Sequence, residues 1–177
     1  MTSREQRIAA RLPGYEPEIG HWLWALEEAR RRTLQRIDGL DQALVDWVAP
    51  EGSNSIGSIL YHIAAIEVDY LYADILGQSF PQEVIDLFPY DVREENGRLT
   101  SVRGFDLEWY LQRLDDGRKR ALDAFRTMDL ADFRRARQLT DYDIDITPEW
   151  TIYHLTQHEA EHRGEIAALR ARAEAQL

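Results

Sequence analysis

The stretch "EWTIYHLTQHEAEHRGEI", Glu149 to Ile166, sets His154, His158 and His162 four residues apart. A helix turns about 100° per residue, so with His162 as zero Leu155 lies at about +20°, Thr151 and Leu169 at about −20°, and Ile166 at about +40°. His162 is therefore central in an apolar stripe. His158, at about −40°, is still within it, whereas His154, at about −80°, is on its edge. Thr147 is a good cap and Pro148 suits the first helical position, which predicts a helix from there to about Ala173. Its inner face carries two imidazoles one turn apart, close enough to reach one ion together. Buried without partners they would leave several polar atoms unsatisfied.

Working outward, three more segments show helical periodicity. Helix 1 is expected from near Pro17 through Trp22, Leu23, Leu26, Ala29, Leu34 and Ile37, and "DGLDQ" ends it. Helix 2 opens at "SNS", capped by Ser53 or Asn54. Its stripe is Ile56, Ile59, Leu60, Ile63, Ile66, Tyr70 and Leu71, with Gly77 as the stop. Helix 3 runs from about Asp106 to Met128, with Leu107, Leu111, Leu114, Leu122 and Phe125 inward. Residues 78–104 form a long connection holding two prolines and two glycines; such loops often line binding sites. There is little strand signal. Four amphipathic segments of about 20 residues predict an all-α, single-domain four-helix bundle over residues 1–177, with the long connection between helices 2 and 3.

Composition narrows the function. The chain of 177 residues is 44% hydrophobic and 30% charged, with a net charge of −11. An acidic surface repels phosphate backbones and offers no basic patch to an anionic membrane, so neither nucleic acid nor membrane is expected as a partner. No stretch approaches the roughly 20 apolar residues of a membrane span. "MTSREQRIAARLPGYEP" lacks the apolar core of a secretory signal, and a cytoplasmic protein is the expectation. There is no cysteine, so any metal must be held by His, Asp, Glu or water.

The third ligand for an ion at His158 and His162 must come from another helix. His62 flanks the stripe of helix 2 and is the candidate; His21, beside Trp22 and Trp24, ranks below it. "HEAEH" also reads as the H-E-x-x-H signature of zinc proteases, with Glu159 as general base. That reading lacks its third ligand. One protease class needs a histidine at the position of Ala168, and another needs a glutamate from a later helix, where only fifteen residues continue the same one. Glu67 lies about 40° from the centre of its stripe and should be paired, with Arg163 as the candidate partner. Gly164 is expected to permit close helix packing.

"NSIGSILYHIAAIEVDYL" (Asn54 to Leu71) and "EWTIYHLTQHEAEHRGEI" resemble the two signature segments of the DinB/YfiT-like superfamily of small metal-binding helical bundles. The resemblance spans most of the chain and includes "S-I-G-x-x-x-x-H-I" and the C-terminal "H-x-x-x-H-R-G". It implies a metal triad of His62, His158 and His162 holding a divalent ion, nickel or zinc, with positions open to water or substrate. Where the family often has H-R-G-Q, this chain has Glu165. That residue is either an acceptor behind the ligands or a solvated edge carboxylate; Glu159 and Glu67 are further candidates for that supporting shell. The resemblance further implies a transferase that activates a low-molecular-weight thiol on the metal, acting on a small-molecule substrate. It also implies a homodimer, with Trp22, Trp24 or Trp109 in the contact. The alternatives are a metal-dependent hydrolase using Glu159 or water as base, and a non-enzymatic metal-binding or stress-response protein.

Overall fold

A computed structural model describes residues 8–52, 54–139 and 143–177. The four periodic segments become long helices: α1 (Pro17–Ile37), α3 (Ile56–Asp69), α5 (Leu107–Phe125) and α7 (Pro148–Glu174). Short helices α2 (Gln42–Asp46), α4 (Gln82–Leu87) and α6 (Leu130–Phe133) lie between them. α1 packs along α7, α3 packs along α5, and α3 also meets α7. The chain is mostly helical. Among the described residues no helix is long and apolar enough to cross a membrane.

Local chemistry accounts for the boundaries. The Glu16 carboxylate accepts from the amides of Glu18 and Ile19 at the start of α1. Asp106 and Thr147 cap α5 and α7 through the amides of Trp109 and Trp150. The cap of α3 is Ser55, whose Oγ accepts from the Ser58 amide; this is one residue beyond the expected Asn54, and Ser53 lies outside the described residues. α3 runs on as a π-helical segment, Tyr70–Leu76, which Gly77 ends at φ 61°. That left-handed conformation costs glycine nothing.

Two inward stripes differ from expectation. On α1 Leu34 is exposed, and buried Thr33 instead turns inward, its hydroxyl donating to the Ala29 carbonyl. On α5 the buried residues are Tyr110, Arg113, Leu114, Gly117, Arg118, Ala121 and Phe125. Leu107, Leu111 and Leu122 are only half-buried. The cause is close helix approach. A Cβ on Gly117 would sit 3.1 Å from Val68 Cγ2, and one on Gly57 would sit 2.6 Å from Tyr110 Oη. The glycine face of α5 is therefore the one that meets α3, and Leu111 and Leu122 lie about 120–140° around from it. Gly164 has no such role: it is exposed, and a Cβ there would meet nothing within 4 Å.

The segment between Gly77 and α5 carries α4 and an isolated pairing of Arg93 with Leu99. It closes over the core through buried Val84, Leu99 and Val102. The Val102 carbonyl accepts from Tyr110 Oη at 3.1 Å, and Tyr61 Oη donates to the Tyr90 carbonyl at 2.7 Å. A small antiparallel hairpin, β1 (Arg137–Leu139) with β2 (Ile144–Ile146), precedes α7. Strands of three residues are too short for a period-two pattern to register in sequence.

The apolar core forms two clusters. One holds Ile59, Ile63, Tyr110, Leu114 and Ile166, and the other holds Leu23, Leu26, Val68, Phe125 and Leu155. Along each long helix a buried charge falls between them: Arg30 on α1, Glu67 on α3, Arg118 on α5 and Glu159 on α7. Arg30 Nη2 meets Glu67 Oε2 at 2.7 Å and its Nε meets Glu159 Oε1 at 2.8 Å. Arg118 meets Glu67 Oε1 at 2.5 Å and Glu159 Oε2 at 3.2 Å. The partner of Glu67 is thus this guanidinium pair, not Arg163, which donates to the Ala29 carbonyl at 3.5 Å.

Candidate metal centre

His62 projects from α3 and is 1% exposed. His158 and His162 project from successive turns of α7 and are half-buried. Crossing of the two helices brings the three rings together. His158 Nε2 lies 3.1 Å from His62 Nε2 and 3.1 Å from His162 Nε2. All three ligand atoms lie within 4.8 Å of one another.

Their hydrogen bonding does not close. His162 Nδ1 lies 3.1 Å from a Glu165 carboxylate oxygen, which accepts from an N–H; on a neutral ring that leaves the lone pair on His162 Nε2. That lone pair faces His158 Nε2, which also faces His62 Nε2. A neutral imidazole nitrogen has either one proton or one lone pair, so His158 Nε2 cannot donate to both neighbours. Among the described residues, moreover, His62 Nδ1 is buried without a hydrogen-bond partner. The Val92 backbone favours protonation of His62, but no well-formed bond joins them.

A proton does not relieve the cluster. Burial first, and then the neighbouring imidazoles, push both His62 and His158 down to about 3. His62 and His158 are therefore neutral imidazoles, which is the protonation state that metal ligation requires. Two imidazole nitrogens each about 2.1 Å from one ion are separated by about 3.0–3.4 Å at right-angled to tetrahedral geometry. The 3.1 Å spacings fit that range, so the donor set is compatible with a divalent ion.

The other candidates are placed as follows. His154 stacks on Trp150 with ring centroids 5.0 Å apart and lies tilted against Tyr70 at 5.1 Å; it stays outside the cluster, as its wheel angle implies. His21 is exposed. Glu165 is exposed but touches His162. Glu159 and Glu67 point into the buried charge layer, and both oxygens of each are ion-paired. Burial alone would raise Glu67; the charges of Arg118 and Arg30 outweigh it and hold the carboxyl below its ordinary value.

Beside the histidines opens a cavity of about 580 Å³ whose lining includes His162, Glu165, Ile59, Leu169, Arg93 and Arg98. Sequence reading missed the two arginines, because they lie on the irregular 78–104 connection where no periodicity fixes direction. It also missed Arg30 and Arg118. The position of Arg118, between Leu114 and Ala121 on the buried face, was the available signal.

The chain is mostly helical, and its three-histidine cluster is compatible with a bound metal ion. A family model of the DinB superfamily matches residues 25–166, and the chain belongs to that superfamily. No curated protein sequence matches it. Its fold is similar to the crystal structure of a conserved protein from Enterococcus faecalis, with a TM-score of 0.66 at 14% identity, covering 84% of this chain and 92% of that one.

Proposed function

We propose that this DinB-superfamily chain is a four-helix-bundle metal-dependent transferase using a low-molecular-weight thiol, with His62, His158 and His162 holding one zinc or nickel ion. The observation that carries the reading is the convergence of three imidazole nitrogens beside a cavity large enough for a small molecule. Three protein ligands leave coordination open, the pattern of a catalytic rather than a structural site. A bound ion there would supply Lewis acidity, lowering the pKa of a thiol or water at the open position.

The chain's own residues do the rest. Glu165 holds the His162 Nδ1 proton and so keeps Nε2 free as a donor atom. Ile59 and Leu169 give the cavity an apolar wall, and Arg93 and Arg98 give it a charged one. In the transfer itself the thiol S–H proton passes to solvent, the sulfur forms a bond to the electrophilic carbon, and the leaving group departs with its electron pair. With no cysteine in the chain, the sulfur must come from outside. The hydrolytic alternative loses Glu159 as a base, since both its oxygens are engaged by arginine.

The test is thiol consumption by the protein loaded with zinc or nickel, given bacillithiol or mycothiol and a haloarene electrophile. Consumption should depend on metal and be lost in His158→Ala. Equal rates with metal-loaded and metal-stripped protein would overturn the transferase reading.

A further inference from the structure

The cavity beside His162 is lined by Arg93 and Arg98 as well as by Ile59 and Leu169. The chain carries −11 overall, and several arginines elsewhere meet carboxylates: Arg120 with Asp116, Arg134 with Glu18 and Glu149, Arg170 with Glu174, Arg172 with Glu51. Among the described residues neither Arg93 nor Arg98 has a carboxylate partner. Arg93 donates only to the Gly97 carbonyl, at 2.9 Å, within the turn that pairs Arg93 with Leu99. Both arginines line the same cavity as His162. A second cavity of about 210 Å³ shares Arg98, Asn54 and Leu99 with the first and adds Arg103, also without a carboxylate partner, together with Glu94.

We propose that Arg93 and Arg98 form an anion subsite that binds the carboxylate of a small ligand whose reacting atom lies at the three histidines. This identifies the ligand class of the thiol-transfer reading and rests on that reading only for what happens at the histidine end. Two guanidinium forks suit a carboxylate, which they can meet with paired N–H donors. Apart from any ion at the histidines, the charged side chains of the large cavity are two arginines against Glu165, an excess of one, which a single carboxylate balances. Glu165 is itself tied to His162. Such a subsite would hold one end of the ligand and fix the distance of the other from the site, which is how remote binding energy is used for orientation. The carboxylate belongs either to the thiol or to the electrophile.

Backbone amide shifts of the full chain, titrated with propionate at constant ionic strength, test this without activity. Propionate should move the amides of residues 93–99 and Gly52, in metal-free and zinc-loaded protein alike. Affinity should fall at least tenfold in Arg93→Gln/Arg98→Gln, partly in Arg98→Gln alone, and not in Arg126→Gln. On zinc-loaded protein, 3-mercaptopropionate binding more tightly than propionate assigns the carboxylate to the thiol; equal binding assigns it to the electrophile, and the subsite stands in both cases. No shift in that segment, the same shift with chloride, or unchanged binding in the double variant would overturn the proposal. Loss of thiol chemistry with propionate binding intact would count against the transferase reading alone.

Discussion

Replacing Arg118 with methionine removes one guanidinium from the charge layer while keeping much of its volume. In the native protein Arg30 and Arg118 balance Glu67 and Glu159 among buried side chains. Arg118 also bonds to Glu27 at 2.6 Å and to the Leu26 carbonyl at 3.1 Å. Without it two buried carboxylates share the single charge of Arg30, and one uncompensated charge remains. Breaking a buried ion pair from one side costs about 3–5 kcal/mol. With an unfolding entropy of about 2.1 cal/mol/K per residue, a chain of this length has about 0.37 kcal/mol/K in all, so the melting temperature should drop by about 8–13 °C. Calorimetry at pH 7 measures it. The variant should recover part of the loss as the pH falls toward 4, where a carboxylate freed from its partner takes up a proton. A drop smaller than about 2 °C would refute the idea that the layer depends on balanced charge.

The remaining predictions concern packing, protonation and the site. Gly57→Ala places a Cβ 2.6 Å from Tyr110 Oη and should cost about 2 kcal/mol through overpacking; an unchanged urea midpoint would mean Tyr110 can step aside. His62 and His158 have folded values of about 3 against 6.5 when exposed. Between those limits the unfolded chain binds more protons, so metal-free stability rises with pH across that window. The double variant His62→Asn/His158→Asn should take up about two fewer protons on unfolding near pH 5, read from the slope of stability against pH; an identical slope would place the rings in water. Glu165→Ala should weaken metal binding about tenfold, the lower end for a residue that orients a ligand, because the carboxylate is exposed. Chelator competition reads this, and unchanged affinity would make Glu165 a bystander.

Much of the site was legible because helical geometry is local. The spacing of His158 and His162, with Leu155, Ile166 and Leu169 around them, is enough to turn both rings inward, and it sets His154 aside. His62 needed the resemblance as well, since its stripe alone does not say which helix it faces. What stayed hidden depends on how helices meet. Arginine on a helix normally reaches water, so Arg30 and Arg118 look like surface residues until Glu67 and Glu159 arrive from other helices. The stripe of α5 turned away from Leu111 and Leu122 because Gly57 and Gly117 let α3 and α5 approach closely, and no single-helix pattern contains that register. Gly164 seemed the natural glycine for close packing only because it sits beside the histidines.

The most direct measurement is the metal content of the purified chain after loading with zinc or nickel and removal of excess ion, beside single alanine variants at each histidine. One ion per chain is predicted, lost or strongly weakened at His62, His158 and His162 and retained at His154 and His21. Retention of a full equivalent by the His62 and His158 variants, or failure of the folded wild type to hold any ion, would contradict a shared three-histidine site.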